Sequence, residues 1–462
     1  MRNKKIISTI AVALIIFTST SLSACSYNGG SAKTTPASDH IKSVTAINEV
    51  FGDGQKVSAV ALEYDSEIDT SKLDTSDFTV EGKTVTKVYA NTAAEKSDEG
   101  ANGKYVIAEL DTTITSESEN GGNGGDGGGG KDQNGNDQQG DSQGASKGGD
   151  KATGDEGGPK LGDPATDSAE SKPLTVNITQ SDDISTVDGQ IYKADSKVMT
   201  NTNAVNLVVD DFQQLVYTDP NYNDAKLMYN LYVPKNYAPS KKYPLVLFMH
   251  DAGVVSNNPT NTLTQGLGAV VWAEPSEQAK NECFVLAPQY NSIIADDTSQ
   301  TTEAMDMTVD LIKNLETQYS IDSNRLYNTG QSMGGMTSIA MNIKYPDMFA
   351  ASLLVACQWD PTKVDPMANK NLWIVVSEGD NKANPGQDAI TEELKTQGAT
   401  VSKATWNAEA SKEELATDVS QMLASNSSIN YTVFKGGSHR YTWQYAYSIE
   451  GIRDWLFQQV KK

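Results

Sequence analysis

A serine between two glycines carries the clearest chemical signal in this 462-residue chain, where residues 330–334 have the sequence GQSMG. In a G-x-S-x-G turn between a strand and a helix the backbone is strained, and the glycines let the two elements approach closely. Such a turn presents the serine Oγ to a base, so Ser332 is predicted to be a nucleophile. Residues 325–328 indicate a strand before the turn, and apolar residues at helical spacing follow it until Pro346.

A base and a carboxylate follow the serine in the chain. The sequence has three histidines: His40 lies near the amino terminus, and His250 ends a strand-like run, where a structural role in the turn is favoured. His439, in the sequence GGSH at 436–439, is therefore the predicted base.

The orienting carboxylate is predicted to be Asp380, which follows the buried-strand pattern at 372–377. A carboxylate there would hold the imidazole in one tautomer and stabilise its cation. Glu378 and Asp360 are alternatives. The order Ser332, Asp380, His439 is that of α/β-hydrolases.

An oxyanion hole is the fourth component that such chemistry needs. The residue after the nucleophile, Met333, is predicted to supply one backbone N–H. The second would come from the turn after the apolar strand-like run at 243–250, from either Asp251 or Ala252. A Ser-His-Asp triad with this hole requires no metal and no cofactor, and no metal-ligand spacing is present.

The elements around these residues alternate between strands and helices from residue 227 onward. Strands are predicted at 228–234, 243–250, 283–289, 351–357, 372–377 and 429–434, with helices at 305–319 and from 439 to 460. This alternation predicts an α/β domain with a mostly parallel sheet over residues 216–462.

The preceding part is rich in short strands bounded by turn residues. Strands are predicted at 43–47, 56–64, 84–89, 105–110, 174–178 and 204–209. This pattern predicts a β-sandwich over residues 41–215.

The segment 115–171 interrupts this β-rich part. It holds 17 of the 37 glycines, 12 acidic residues, 4 basic residues and no aromatic residue. Because it can bury little apolar surface, it is predicted to be a disordered Gly/Asp-rich insertion, either a tolerated loop or a spacer.

The amino terminus has the pattern of a targeting signal. Three basic residues precede an apolar run at 6–17, and the sequence LSAC at 22–25 resembles a bacterial lipobox. The resemblance implies a signal peptide over 1–24, lipid attached to Cys25, a tether over 25–40, and a protein anchored at the extracytoplasmic face of the cell membrane. An ordinary secretory signal is the alternative.

Charge and cysteine content limit the partners. The net charge of −23, with no cluster of basic residues, argues against nucleic acid. Cys283 and Cys357 lie in apolar strand-like runs and are predicted to be buried free thiols.

Residues 225–462 resemble the α/β-hydrolases related to polyhydroxybutyrate depolymerases, feruloyl esterases and prolyl-oligopeptidase-type enzymes. The motifs are FMHDAG at 248–253, APQ at 287–289, the GQSMG turn, EGD at 378–380 and GSH at 437–439. Residues 41–111 resemble the immunoglobulin-like module of two-domain bacterial esterases. The resemblance implies two-step acyl transfer to water from a small-molecule or polymer-linked ester. Many relatives carry a histidine where Glu378 stands and place the acid a few residues later.

Two other functions remain open. A peptidase on the same fold would use the same triad, and a non-catalytic ligand-binding lipoprotein would not use it. Retention of all three residue types in order favours an enzyme.

Two tryptophans are predicted to line the acyl or alcohol site. Trp443 lies one helical turn beyond His439, and Trp359 follows the strand-like run at 351–357, which should end at the same rim. Core packing is the alternative for the aromatic residues of this terminal helix.

Overall fold

A computed structural model describes residues 39–114, 160–165 and 173–461. The predicted signal peptide, Cys25, most of the tether and most of the segment 115–171 lie outside the described residues.

The β-rich part folds as two sheets that pack face to face. One sheet has the strand order β10-β1-β2-β5-β4 and the other β3-β6-β9, while β7 and β8 form a hairpin. Apolar side chains from both sheets, including Val60, Val106, Phe78 and Ile178, share one buried core. The strands are β1 Ile41–Phe51, β2 Gly54–Ile68, β3 Phe78–Val80, β4 Val85–Asn91, β5 Gly103–Leu110, β6 Asn177–Gln180, β7 Ile184–Ser185, β8 Ile191–Tyr192, β9 Met199–Thr200 and β10 Asn203–Asn206.

The segment 115–171 interrupts a single domain. Strand β10, which follows it, pairs in parallel with β1, and β6 pairs with β3, so each sheet combines strands from both sides of the segment.

Residues 160–165 differ from the prediction of disorder. The N–H of Gly162 donates to Ile293 O at 2.8 Å, the N–H of Ile293 donates to Asp163 O at 2.9 Å, and the N–H of Ala165 donates to Asn291 O at 2.8 Å. Composition did not reveal this pairing because its hydrogen bonds are made by the backbone to a loop more than 120 residues away.

The second part contains a nine-stranded sheet in the order β11-β12-β14-β13-β15-β16-β17-β19-β18. The pairs β11–β12 and β12–β14 are antiparallel. The seven strands from β14 to β18 in the sheet order, including β13, are parallel to one another. The strands are β11 Gln213–Asp219, β12 Ala225–Tyr232, β13 Tyr243–Met249, β14 Phe284–Gln289, β15 Ile321–Gln331, β16 Ala351–Val355, β17 Leu372–Ser377, β18 Val401–Trp406 and β19 Ile429–Phe434.

Helices cover both faces of this sheet, and each face has its own buried apolar cluster. The helices are α1 Asn261–Thr264, α2 Leu267–Val270, α3 Pro275–Lys280, α4 Glu303–Gln318, α5 Met333–Lys344, α6 Ala383–Thr396, α7 Lys412–Leu423, α8 His439–Ala446 and α9 Glu450–Phe457. In the part of the chain that the structure describes, no helix combines the length and apolar character needed to cross a membrane.

Three features of the fold differ from the predictions. Strand β11 belongs to the large sheet, so a division at 215/216 would cut through a strand. The predicted terminal helix is two helices, α8 and α9, which are separated by residues 447–449. Strand β18 was missed because its polar, partly exposed residues lie at the sheet edge.

Candidate active site

Ser332 lies in the turn between β15 and α5. Its backbone has φ 51° and ψ −117°, a strained conformation for a residue with a side chain. A Cβ at Gly330 would lie 2.4 Å from the carbonyl carbon of Gly334, and a Cβ at Gly334 would lie 1.9 Å from Met249 O. The two glycines are therefore required by close backbone approach, as the motif predicts.

His439 begins α8 and lies between Ser332 and Asp380. Its Nε2 is 2.9 Å from Ser332 Oγ, and its Nδ1 is 2.5 Å from Asp380 Oδ2. The structure thus brings the three predicted residues into one hydrogen-bonded chain. These distances allow the imidazole to take a proton from the serine while the carboxylate holds its other nitrogen.

Asp380 is the buried member of this chain, with its side chain only 3% exposed against 39% for His439. Its Oδ1 accepts hydrogen bonds from the N–H groups of Lys382 at 3.1 Å and Ala383 at 2.9 Å. Burial alone would raise the pKa of Asp380, but the hydrogen bond and charge of His439 and these two amides more than offset it, so the pKa lies below its usual range. Asp380 is therefore held as a carboxylate.

The two alternative acids point elsewhere. Glu378 is exposed, and its Oε2 accepts a hydrogen bond from the N–H of Gly436 at 2.8 Å. Asp360 accepts hydrogen bonds from the N–H and the hydroxyl of Thr362. Glu378 thus stabilises the loop before His439 and does not hydrogen-bond the imidazole.

His250 lies on the other side of the serine and is fully buried. Its Nε2 accepts a hydrogen bond from the N–H of Tyr290 at 2.9 Å, which places the proton on Nδ1, 2.7 Å from Asp251 O. Burial lowers the pKa of His250, so the ring is neutral. This histidine supports the turn, in agreement with the sequence interpretation.

The two predicted sources of oxyanion donors are linked through side chains. Met333 is the first residue of α5, so no preceding helical turn can accept its backbone N–H. Asp251 accepts hydrogen bonds from the N–H of Gly253 at 2.8 Å and from Gln331 Nε2 at 3.0 Å. The residue before the nucleophile therefore holds the turn that contains Asp251 and Ala252.

The N-terminal domain contacts the site through its first hairpin. A Cβ at Gly52, in the turn between β1 and β2, would lie 1.9 Å from the carbonyl oxygen of Gln444 in α8. A Cβ at Gly266 would lie 3.1 Å from Gly52 O, and the neighbouring Gln265 Oε1 accepts a hydrogen bond from Gln331 Nε2. One turn thus contacts α8, which begins with His439, and also Gly266, the residue next to the Gln265 that hydrogen-bonds Gln331.

Comparison with known proteins agrees with this architecture. A family model described as "Putative esterase" matches residues 221–458, just over half of the chain. The chain belongs to this esterase family. A second family model, described as an esterase Ig-like N-terminal domain, matches residues 43–193 of the esterase. No curated protein matches this chain.

Among solved structures, the esterase is similar to a thermostable esterase at 26% identity, over 91% of this chain and 100% of that chain, with a TM-score of 0.69. The feruloyl esterase module of Clostridium thermocellum, solved with sinapinate, is 17% identical over 52% of this chain and 86% of that chain, with a TM-score of 0.36. A ferulic acid esterase from Anaeromyces mucronatus, solved with ferulic acid, is 12% identical over 52% of this chain and 89% of that chain, with a TM-score of 0.36.

The two predicted pocket tryptophans have different surroundings in the esterase. The ring of Trp443 meets that of His439 edge to face, with centroids 5.0 Å apart, and most of Trp443 is buried in the core. Trp359 lines a cavity of about 330 Å³ together with Met336, one helical turn after the serine. Both side chains are mostly buried in apolar clusters; Trp443 contacts the candidate base itself, while Trp359 lines the cavity at Met336.

Sequence reasoning missed two features near the site of the esterase. Gln331 occupies an unspecified position of the G-x-S-x-G motif, so the motif gave no reason to single it out. Ile294 donates its backbone N–H to Met333 Sδ at 3.4 Å, a contact made by a loop that has no motif.

Proposed function

We propose that the protein is a serine esterase that hydrolyses carboxylic esters through an acyl-enzyme on Ser332. The observation that carries the proposal is the hydrogen-bonded chain from Asp380 through His439 to Ser332 Oγ, with heavy-atom distances of 2.5 and 2.9 Å.

In the first step His439 takes the proton of Ser332 as Oγ attacks the ester carbonyl, and the protonated imidazole then gives this proton to the departing alcohol. In the second step His439 takes a proton from a water molecule as this water attacks the acyl-enzyme, and it returns the proton to Ser332 Oγ as the acid departs. Asp380 keeps Nδ1 protonated and stabilises the imidazolium in both steps. The backbone N–H of Met333, with that of Asp251 or Ala252, is assigned to the developing oxyanion.

A fluorophosphonate probe tests the nucleophile, and ester turnover tests the reaction class. The probe should label the purified protein on Ser332 but not label the Ser332→Ala variant. p-Nitrophenyl acetate should be hydrolysed, whereas aminoacyl amides should not. Faster cleavage of the amides would identify a peptidase, and absence of both labelling and turnover would identify a non-catalytic binding protein.

We further propose that the esterase is anchored by lipid on Cys25 at the extracytoplasmic face of the cell membrane. The support is the LSAC sequence at 22–25 after a basic and then an apolar run. Cys25→Ala should move the protein out of the membrane fraction or leave its signal uncleaved. Membrane retention with normal signal removal would contradict the anchor.

A further inference from the structure

A cavity of about 800 Å³ lies at the carboxyl end of β14, next to the loop 290–294. Its floor includes the apolar side chains of Leu227, Ile294 and Met307. Lys226 and Glu303, the charged residues that line it, are both exposed at its rim and have opposite signs. A cavity of this size can hold a ligand much larger than an acetyl group, and its apolar floor favours an uncharged one.

The wall of this cavity contacts both elements that are assigned to the oxyanion. Ile294 lines the cavity and donates its backbone N–H to Met333 Sδ. Tyr290 also lines it and donates its backbone N–H to His250, the residue before Asp251. Two residues of the cavity wall thus contact Met333 and the residue before Asp251, the two elements assigned to the oxyanion.

Sheet order separates this cavity from the base. Ser332 follows β15, and the cavity lies at β12 and β14 on one side of it. Asp380 and His439 follow β17 and β19 on the other side. Because His439 must give a proton to the departing alcohol, the alcohol is expected near β19, which leaves the side of β12 and β14 available to the acyl group.

We propose that this cavity is the acyl-group site and that it takes an extended, uncharged apolar acyl chain of medium length. The proposal rests on the serine esterase function above. The backbone hydrogen bonds of residues 162–165 to the wall at 291–293 hold this wall in place.

Filling the cavity without touching the triad tests the proposal. Ala304 and Ala225 both line the cavity and are partly buried, so Ala304→Phe and Ala225→Phe place a ring inside it from two different elements. Ala279→Phe is the matched control, because Ala279 is exposed and lines a separate cavity at the opposite, amino-terminal edge of β13. Melting temperatures identify any variant that fails to fold.

The substrates keep the leaving group constant while the acyl chain changes. With p-nitrophenyl octanoate, kcat/KM should fall at least about tenfold in either filled variant, since displaced apolar contacts are worth this much or more. With p-nitrophenyl acetate it should change little, and the control should behave as the wild type on both esters.

Two results would overturn the acyl site: equal losses on octanoate and acetate in folded variants, or a wild type that hydrolyses acetate but not octanoate. Acetate esters of small and bulky alcohols separate the two sides of the site, because a selective loss on bulky alcohols would assign the cavity to the leaving group instead. Failure of the esterase function would differ, since the wild type would then show neither turnover nor fluorophosphonate labelling.

Discussion

Two turns at the carboxyl edge of the large sheet each hold a histidine, and their surroundings give them opposite roles. His250, after β13, is fully buried and uses both ring nitrogens in hydrogen bonds with backbone groups. His439, after β19, is 39% exposed and faces a hydroxyl on one nitrogen and a carboxylate on the other. A base must exchange protons with a substrate, which only the second arrangement permits.

The N-terminal domain contacts an element next to each turn, and it does so through two different parts. Its first hairpin meets α8, which begins with His439, through Gly52 and Gln444. Its interrupting segment meets the loop beyond β14 through residues 162–165. The comparison suggests that the domain supports both the base side and the acyl side of the site, and the following changes test each side.

The largest effect is expected for His439→Ala. Removing the base should lower kcat by about 10⁶, as loss of a triad histidine does when the three residues act as a unit. The melting temperature should change little because the side chain is partly exposed. Turnover of p-nitrophenyl acetate measures kcat, and thermal unfolding measures the melting temperature. His250→Ala provides the contrast, because it removes a buried side chain and should lower the melting temperature.

Asp380→Asn should lower kcat by about 10⁴. An amide at this position cannot hold Nδ1 protonated or stabilise the imidazolium. Glu378→Gln is the matched control, two residues away, and should retain most activity because Glu378 bonds Gly436 and not the imidazole. If Glu378→Gln or Asp360→Asn caused the larger loss, the acid would be wrongly assigned.

Gly52→Ala should lower kcat by about tenfold or more, since small displacements of catalytic groups are costly. The new methyl group would meet Gln444 O and must displace the hairpin or α8. Gly82→Ala is the control: its φ of 67° strains the backbone of an alanine, but a Cβ there has no atom within 4 Å and so meets no other element. Equal activities of the two variants would show that the hairpin does not position His439.

His250 should make the stability of the folded protein depend on pH. Its pKa is lowered by burial, so below about pH 6.5, the ordinary value, the unfolded chain binds a proton that the folded chain does not. Stability should therefore fall as the pH is lowered from about 7 to 5. Urea unfolding should show a weaker dependence in His250→Gln, and an unchanged slope would contradict the neutral buried ring.

The smallest effect is expected for Ala165→Pro, which removes the N–H that donates to Asn291 O. Loss of this bond should loosen the cavity wall at 291–293. Because one hydrogen bond contributes about 1 kcal/mol, kcat/KM for p-nitrophenyl octanoate should fall a few-fold. Acetate turnover should be unaffected. Deletion of residues 121–158, which leaves 160–165 in place, should change neither activity nor melting temperature. Equal octanoate turnover in Ala165→Pro and the wild type would show that this pairing does not shape the acyl side.

Much of the site could be predicted because its determinants are local. Gly330 and Gly334 are required within five residues of Ser332, and alternating apolar runs predict buried parallel strands wherever they fold. The order of serine, acid and histidine then follows from reading along the chain. Strands β17 and β19 agree with their predicted ranges because both are buried and apolar over their whole length.

Tertiary structure decided the features that depend on direction and on distant contacts. Asp380 and Glu378 lie two residues apart in one loop, and only the fold directs one carboxylate to His439 and the other to Gly436. The pairing of residues 162–165 with residues 291–293 is made by backbone groups that every residue type carries, so composition contains no sign of it. The sequence alone therefore determined which chemical groups are available and in what order, while burial and the path of the chain decided which histidine is free to exchange a proton.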